Sequence, residues 1–578
     1  MADQADFPDI YIDSSVEAGG VGSEADPYSA FSEINWGATG DNSITDYYAG
    51  GASASVTINL KRGQEWRELF LTGHAGTADY PIIVRAYGVG DNPMINGSVD
   101  VTTASFKWTA SQGGTNEYFL EAAAGGNPSL ASVPIQIFRD DVRCLLAWVV
   151  AGTQTELGSM GDLEWEWGHN AADEAAPNSK AVFETIYIRD DSGDPDTSGV
   201  VIEASSLEYP VLVSHDYITF DGVDIEKSNN QGARVYGHHV TFQNLSSLYN
   251  LRAGIRIYTG ADDCTLDTCE FGESWGDAIT LGGSYGNIVY RLHITGCAIH
   301  DAEYVEGVSY LSAAGIKAFA LEDSVIEKST WYACQFGAIR LDGGAQPESW
   351  GCRYNVIREN NIYGCGDISR PQLDVEFSGY NIFAFNWLHD PYEGSDNLKF
   401  SRSGCVNNVA LCNISEGATS VQANGAGFRN WLLAGDNFYI GNLAYNCRLG
   451  FDFKTGSGSY LRNNIAFGCA TYAMRVEDEF YSLDSDYNCF YNAGSNPIFE
   501  NAIGSGSYSV AEWFALTGTE ENSIQSDPLC TDPESGDFTL QSESPCIGTG
   551  AVLDPEYQEG ILSGSIPDSL VTGDRNDF

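Results

Sequence analysis

Residues 439–467 read YIGNLAYNCRLGFDFKTGSGSYLRNNIAF and contain one short pattern twice. In YIGNLAY and in LRNNIAF, an Asn stands directly before an apolar residue, and these two residues, Asn442 and Asn464, are 22 positions apart. Around each of them, apolar and polar residues alternate, which is typical of short strands separated by turns. The stretch therefore predicts a β unit that repeats.

The same pattern, a small or polar marker before an apolar residue, recurs at intervals of 22 to 37 residues. The markers are Gly222, Asn244, Thr268, Gly296, Ser324, Asn361, Asn386, Asn413, Asn442, Asn464 and Asn488. A unit of this size cannot bury its own apolar face, so we expect coils stacked into a solenoid with one continuous core. Asn tolerates a left-handed bend, and a column of Asn, one per coil, is expected to form a ladder of side-chain amides.

These coils resemble right-handed parallel β-helix proteins of the pectate-lyase-like and phage-tailspike-like families. LKRGQEWRELFL at residues 60–71 resembles an opening coil of such proteins, and SDPLCTDPESGDFTLQSESPC at residues 526–546 resembles their closing segment. The resemblance implies an all-β fold, a right-handed parallel β-helix with an N-terminal cap and a small β insertion. It implies little about chemistry, because this scaffold carries lyases, hydrolases, epimerases and inert fibres.

Interruptions of the repeat predict five segments along the chain. They are an N-terminal cap (1–49), first β-helix coils (50–102), a β-rich insertion (103–205), the main parallel β-helix (206–492) and a C-terminal capping segment with a tail (493–578). A short helix is expected at 27–36 and another at 509–518, because solenoids need their open ends covered.

Composition limits the partners. The 578 residues include 80 acidic and 28 basic side chains, a formal net charge of −52. Such a charge argues against nucleic acid and against an anionic membrane surface, and no apolar run is long enough to span a bilayer. Aromatic residues at 12% and hydrophobic residues at 43% exclude disorder, because they supply a large core.

The 14 cysteines include no paired CxxC motifs, and many fall at inward strand positions. We therefore interpret them as small buried thiols and not as a disulfide framework. The start, MADQADFPDIYID, lacks the basic and apolar segments of a secretory signal. Free thiols, this start and the β-helix resemblance predict a virion or extracellular location.

A second strand lies between each pair of markers, and its outward residue is often basic. This basic column reads Arg234, Arg256, Thr280, Lys317, Arg340, Glu376, Lys399, Arg429, Asp452 and Arg475. Seven of the ten are basic in a chain with only 28 Lys and Arg, so the enrichment is large. Stacked strands lie about 4.8 Å apart, so the column predicts a line of cations along one face. A uronate-containing polysaccharide is a natural partner for such a line.

Two other interpretations of the basic column remain open. Carboxylates of the protein itself, among them Asp277, Asp342, Asp396, Asp452 and Glu477, lie on or beside the same strands and could turn it into a structural salt-bridge ladder. The column could also be a docking face for another acidic protomer.

The column suits two mechanisms. In a lyase, Lys317 is the predicted base, Arg340 stabilises the developing charge, and Lys399 is a second choice for the base. In a hydrolase, Asp277 with Asp342, or Glu376 with Asp452, would form the carboxylate pair. The predicted substrate-binding residues are Arg234, Arg256, Arg429 and Arg475.

No metal site is assigned from the sequence. Acidic turns offer oxygen ligands that suit calcium, at Asp262–Asp263, at Asp484 and Asp486, and at Asp190, Asp191, Asp194 and Asp196. None has the spacing of an EF-hand or RTX loop, so Ca²⁺ stays open as a cofactor.

Two functions follow from these observations. The first is binding and depolymerisation of an acidic polysaccharide, with β-elimination favoured over hydrolysis. The second is a non-enzymatic virion protein (a phage tailspike, fibre or decoration protein) or a surface structural protein that uses the β-helix for attachment. A homotrimer, or contact with other virion proteins, is the expected assembly.

Overall fold

The computed structural model describes most of the chain. The described residues are 9–37, 39–111, 115–121, 127–130, 134–147, 159–168, 182–282, 288–305, 312–344, 351–367, 369–392, 394–419, 425–454, 458–477, 483–492, 498–501 and 506–553.

Three long sheets run the length of the molecule, and each coil contributes one short strand to each of them. The first sheet contains Asp9–Ile12, Thr57–Lys61, Ile82–Tyr87, Ile218–Asp221, Thr241–Gln243, Thr265–Asp267, His293–Thr295, Val325–Glu327, Val356–Arg358, Ile382–Ala384, Val409–Leu411, Phe438–Ile440, Tyr460–Arg462 and Asp484–Asp486. The second contains Glu65–Trp66, Met94–Asn96, Asp224–Glu226, Ser246–Leu248, Glu270–Gly272, Ala298–His300, Thr330–Tyr332, Asn361–Tyr363, Trp387–His389, Ile414–Glu416, Leu443–Tyr445, Ile465–Phe467 and Cys489–Tyr491.

The third sheet carries the basic column. It contains Phe70–Leu71, Val211–Val213, Gln231–Val235, Ala253–Ile257, Ile279–Leu281, Ile316–Ala318, Ile339–Asp342, Leu373–Glu376, Leu398–Ser401, Ala426–Trp431, Leu449–Phe453, Tyr472–Val476, Phe499–Asn501 and Gly506–Tyr508. Only the last pairing in this sheet is antiparallel. The predicted stacked solenoid is therefore confirmed.

Inward residues of successive coils stack on one another to form the core. On the first sheet these are Phe220, Phe242, Leu266, Ile294, Ile326, Ile357, Phe383, Ala410, Tyr439 and Leu461, all at most 1% exposed. One apolar cluster extends from Ile10 to Trp513. Each coil thus buries its neighbour's apolar face, which no coil could do alone.

The amide ladder predicted for the Asn column is present. Asn386 Nδ2 donates to Asn413 Oδ1 over 2.9 Å, and Asn413 Nδ2 donates to Asn442 Oδ1 over 3.0 Å. The ladder side chains are buried and run through Asn360, Asn386, Asn413, Asn442, Asn464 and Asn488. It satisfies backbone groups at a bend that would otherwise lack partners.

Six of the eleven predicted markers do not lie in the Asn ladder. Gly222, Asn244, Thr268 and Gly296 are left-handed residues, each with a positive φ, one position before the ladder. The left-handed residue of the bend precedes the ladder Asn, as Phe385 does with a φ of 55° before Asn386. Asn361 lies one position beyond ladder residue Asn360, and Ser324 belongs to a parallel ladder that begins the first-sheet strands. A short Asn-rich motif fits either position, so spacing alone did not separate them.

The cysteine prediction is confirmed over the described residues, where all 14 cysteines are free and 12 are buried. Cys269 and Cys297 occupy the same inward bend position that later coils fill with the ladder Asn. They therefore fill the core, as small apolar side chains would.

Between the first coils and the main coils the chain builds two sheets of its own. One contains Ser98–Asp100, Ile137–Arg139, Val142–Arg143 and Ile202–Ser205; the other contains Thr109–Ala110, Glu117–Glu121, Leu145–Leu146, Glu164–Gly168 and Val182–Arg189. They enclose a separate core around Trp165, Ile186 and Ile188. Arg143 joins this core to the solenoid, because its guanidinium lies 5.0 Å from the Trp275 ring.

The ends of the solenoid are covered by short elements. The helix expected at 27–36 is only a 3₁₀ turn, Phe31–Glu33, and the α-helix of this end is Ile44–Ala49, capped by Ser43. The second predicted helix is confirmed as Val510–Thr517, with a capping box between Ser509 and Glu512. The remaining elements are the 3₁₀ turn Pro533–Ser535 and the two-stranded sheets Val289–Tyr290 with Leu321–Glu322 and Cys530–Asp532 with Asp537–Leu540.

Candidate active site

The basic column forms one continuous line on the outer face of the third sheet. Strand register places in this line Arg234, Arg256, Thr280, Lys317, Arg340, Asp374, Lys399, Arg429, Asp452, Arg475 and Glu500. One predicted member was wrong: Glu376 pairs with Asp342 and Ser401, and Asp374 takes its place. The strand Leu373–Glu376 has two acidic outward residues, Asp374 and Glu376, and alternation predicts the same orientation for both of them.

The C-terminal part of the column is a buried salt-bridge ladder. Arg429 is 1% exposed and lies 2.7 Å from Asp396 on one side and 2.7 Å from Asp452 on the other. Asp452 also accepts two hydrogen bonds from Arg475, which contacts Glu477 over 3.1 Å. Of the predicted substrate-binding residues, Arg429 and Arg475 are therefore neutralised by carboxylates of the protein.

Arg340, in the middle of the column, is surrounded by acidic side chains. Its guanidinium lies 3.2 Å from Asp342, 3.1 Å from Glu376 and 3.7 Å from Asp374. Its side chain is 9% exposed. Three carboxylates of the protein thus compensate the Arg340 charge, so its influence on a bound molecule is electrostatic and indirect.

The N-terminal part of the column opens into a cavity of about 240 Å³. Its lining includes Gln231, Arg252, Arg256, Gly276, Asp277, Thr280, Ser312, Lys317 and Phe319. Three of the predicted site residues, Arg256, Lys317 and Asp277, thus share one concave surface. Concave sites with a few convergent polar groups are where small ligands and substrate segments bind.

Arg256 differs from the arginines of the ladder. It is half-buried, its Nε donates to the Gly282 carbonyl over 3.3 Å, and its guanidinium lies 4.5 Å from the Tyr258 ring. Within the described part of the chain it forms no salt bridge with a carboxylate. Arg234, on the adjacent strand, has one salt bridge in the described residues, to the exposed Glu208 over 3.6 Å. Its Nε also donates to Gln231 Oε1 over 2.5 Å, and its guanidinium lies 3.9 Å from the Tyr209 ring. The cationic character of the column is therefore strongest at this end.

Lys317 lies at the boundary between the open cavity and the neutralised ladder. Its Nζ is 3.8 Å from Asp342 Oδ2, and its side chain is 13% exposed. Burial and, next, the Arg340 charge lower the pKa of Lys317, whereas Asp277 and Asp342 act in the opposite direction. A lysine in this environment has a larger neutral fraction than an exposed one, which favours its action as a base.

Lys399, the second predicted base, lies three rungs from Lys317, about 14 Å along the column. Its Nζ faces Asp374 over 3.9 Å. The two lysines are too far apart to act on the same bond.

Asp277 is held in place by three hydrogen bonds. Its Oδ1 accepts from the Ser312 hydroxyl over 2.5 Å and from the Ala314 backbone N–H over 3.1 Å, and its Oδ2 accepts from the Thr280 hydroxyl over 3.3 Å. The carboxyl is 7% exposed, and burial raises its pKa, against the lowering effect of these hydrogen bonds and of Lys317.

Three polar lining residues, Arg252, Gln231 and Ser312, were not predicted from the sequence. Arg252 and Ser312 lie just before third-sheet strands, where no alternation marks them. The one available signal was that Arg252 is a basic residue four positions before Arg256 in a chain poor in cations.

The acidic turns considered for calcium have protein partners. Asp263 accepts two hydrogen bonds from Arg291, Asp190 contacts Arg139, and Asp484 contacts Arg462. Over the residues that the structure describes, no group of three or more His, Cys, Asp or Glu side chains is arranged to hold a metal ion. In the same residues, no helix has both the length and the apolar character needed to cross a membrane.

Comparison with known families agrees with this architecture. The family described as the right-handed beta helix region matches residues 198–376, which span the cavity and Arg340. The fold of the chain is a right-handed parallel β-helix. The all-β, right-handed parallel β-helix predicted from the sequence is thereby confirmed.

Among characterised proteins, this β-helix protein is similar to pectate lyase L of Dickeya chrysanthemi. The two are 23% identical over 406 residues, which cover 68% of this chain and 72% of the lyase. Among solved structures, XylC in complex with xylose shares 12% identity and a TM-score of 0.49, over 85% of this chain and 86% of that one. Pectate lyase Pel9A shares 14% identity and a TM-score of 0.31, over 95% and 94%.

Proposed function

We propose that this β-helix protein binds an acidic polysaccharide along the N-terminal part of the basic column and cleaves it by β-elimination. One observation carries the proposal: Lys317, whose pKa is lowered, shares a cavity with Arg256, a cation without a carboxylate partner in the described residues. Elimination from a uronate needs both a base and a positive charge beside the carboxylate. The similarity to a pectate lyase supports the same reaction class.

In the proposed reaction, Arg256 binds the uronate carboxylate and so makes the neighbouring C5–H bond more acidic. Neutral Lys317 Nζ removes the C5 proton. The electron pair forms the C4–C5 double bond, the C4–O bond to the next sugar breaks, and the leaving oxygen takes up a proton. Arg256 and Lys317 lie two rungs apart, about 10 Å between backbones, which leaves room for one sugar between the two long side chains.

Arg340 has a different role here from the one expected from the sequence. Since Asp342, Asp374 and Glu376 surround it, we assign it to the environment of Lys317 and not to direct contact with substrate. Its positive charge favours the neutral form of Lys317.

Hydrolysis is less well supported. In the predicted carboxylate pairs, Asp342 is engaged by Arg340 and Lys317, and Asp452 is fully buried between two arginines. Burial acts to raise the pKa of Asp452, but the charges of Arg429 and Arg475 lower it, so Asp452 is a poor general acid.

The decisive experiment incubates the purified protein with a panel of acidic polysaccharides, including pectate, alginate and capsular polymers, beside a neutral polymer. β-Elimination is expected to produce unsaturated uronate ends, which absorb in the ultraviolet, together with a fall in polymer length. Chain cleavage without unsaturated ends would overturn elimination. Binding without cleavage on every polymer would instead support the non-enzymatic attachment protein, for which virion partners and a trimeric state stay predictions.

A further inference from the structure

Asp277 and Asp396 occupy equivalent positions in different coils, but their surroundings differ. Each lies three residues before a member of the basic column, Thr280 and Lys399 respectively. Each also accepts backbone hydrogen bonds from the next coil, Asp277 from Ala314 and Asp396 from two N–H groups at residues 425 and 426. Both carboxyls therefore anchor the backbone of the next coil.

The difference lies in the second oxygen of each carboxyl. Asp396 Oδ2 is 2.7 Å from Arg429, so this oxygen is held in a salt bridge. Asp277 Oδ2 faces only the Thr280 hydroxyl over 3.3 Å, and within the described residues Asp277 forms no salt bridge. Asp277, unlike Asp396, also lines the cavity that contains Lys317.

We propose that Asp277 is the general acid of the elimination, donating a proton to the leaving glycosidic oxygen while Lys317 removes the C5 proton. This inference rests on the proposed function. A sugar oxygen is a poor leaving group as an alkoxide, so a proton donor beside it accelerates the break of the C4–O bond. The Ser312 and Ala314 hydrogen bonds hold Oδ1, so Oδ2 is the oxygen that carries the transferable proton.

Groups that line the cavity accept and supply both protons of this step. Lys317 gains the proton from C5 and becomes an ammonium, while Asp277 loses its proton to the leaving oxygen and becomes a carboxylate. Transfer of one proton from Lys317 to Asp277, directly or through solvent, restores the starting forms without an external acid. Burial favours the neutral form of both groups, because it penalises either charge.

The test compares leaving groups in one preparation of Asp277→Asn. On the polysaccharide cleaved by the unaltered protein, we expect kcat/KM to fall by about 10²–10⁴-fold. On a synthetic uronate that carries 4-nitrophenoxide at C4, whose departure needs no proton, we expect a loss within about tenfold. Lys317→Met should lose activity on both substrates to the same extent. The ratio of the two rates does not depend on how much of the variant is folded.

Asp396→Asn is the matched control, because it alters the same coil-holding position away from the cavity. It should lower the melting temperature and leave the leaving-group ratio unchanged. Should Asp277→Asn fail to fold, Asp277→Ser takes its place in the same comparison. Equal losses on both substrates, or no loss on either, would overturn the role of Asp277; an unaltered protein inactive on both substrates would overturn the proposed function instead.

Discussion

Arg429 and Asp452 lie side by side on adjacent strands, with Arg429 Nε 2.7 Å from Asp452 Oδ2 and neither side chain more than 1% exposed. Asp396 completes the pairing on the other side of Arg429. Two coils of the third sheet are thus joined by charges that water does not reach. The same column contains Arg256, which has no such partner in the described residues, so one row of similar residues serves two different purposes.

This contrast predicts opposite effects for two arginine substitutions. Arg429→Met leaves Asp396 and Asp452 with less compensation in a buried site, and we expect it to reduce the free energy of unfolding by about 3–5 kcal/mol. Arg256→Gln should change stability little but lower kcat/KM for the acidic polysaccharide by about 10–100-fold, because Arg256 both binds the uronate and acidifies its C5–H bond. Chemical denaturation and steady-state kinetics on both variants check the pair. An equal loss of stability in the two variants would contradict the assignment of a structural role to Arg429 and a substrate-binding role to Arg256.

Lys317→Met should abolish elimination while leaving the fold intact. Its removal takes the proposed base from the cavity, and Arg340 remains to compensate Asp342, so the melting temperature should shift by only a few degrees. The loss of kcat should reach at least about 10²-fold. Lys328→Met, which alters an exposed lysine, is the matched control and should keep full activity. Retained activity in the Lys317 variant would refute the base assignment.

Arg340→Gln should raise the pKa of Lys317. Burial is the first cause of the lowered pKa, and the Arg340 charge is the second. Removal of Arg340 also leaves the negative charge of the three carboxylates around it less compensated. Both changes favour the ammonium form, so the neutral fraction of Lys317 at a given pH should fall. Acylation of Lys317 by a lysine-selective reagent, followed by mass spectrometry across pH, measures this directly. An unchanged or lower midpoint would show that Arg340 does not influence the base.

Asn413→Ala should be strongly destabilising. Asn413 is buried, accepts hydrogen bonds from the backbone N–H and the side chain of Asn386, and donates to the Phe383 carbonyl over 2.8 Å. Its loss leaves several buried polar groups without partners, at about 1–3 kcal/mol for each of them. Asn361→Ala, on the outer face of the second sheet, should cost far less. Comparable unfolding free energies for the two variants would argue against the ladder as a stabilising element.

The neighbourhood of the site was predictable because the solenoid repeats. Alternation in AGIKAFA and GAIRLDGG was enough to place Lys317 beside Arg340, more than twenty residues away, on adjacent strands. Alternation failed at Asp374 and Glu376, where two outward acids stand two apart. Alternation also does not predict how far an outward side chain is buried. Arg429 points outward like Arg256, yet Arg429 is buried because Asp396 and Asp452, from other coils, enclose it. The burial of such a side chain depends on contacts between coils, and the sequence of a single coil does not specify these contacts.

The amide ladder has a direction and an end. Each Asn offers its carbonyl to the coil before it and its amide to the coil after it, until Asn488, whose Nδ2 donates to the buried carboxyl of Glu520 at 3.2 Å. Each Asn from Asn386 to Asn464 therefore receives and presents the same pair of groups. Duplication or deletion of one whole coil would preserve all of these bonds, whereas the closing segment cannot be exchanged for another rung. The solenoid can thus change its length in evolution by whole coils, while its terminus stays the same.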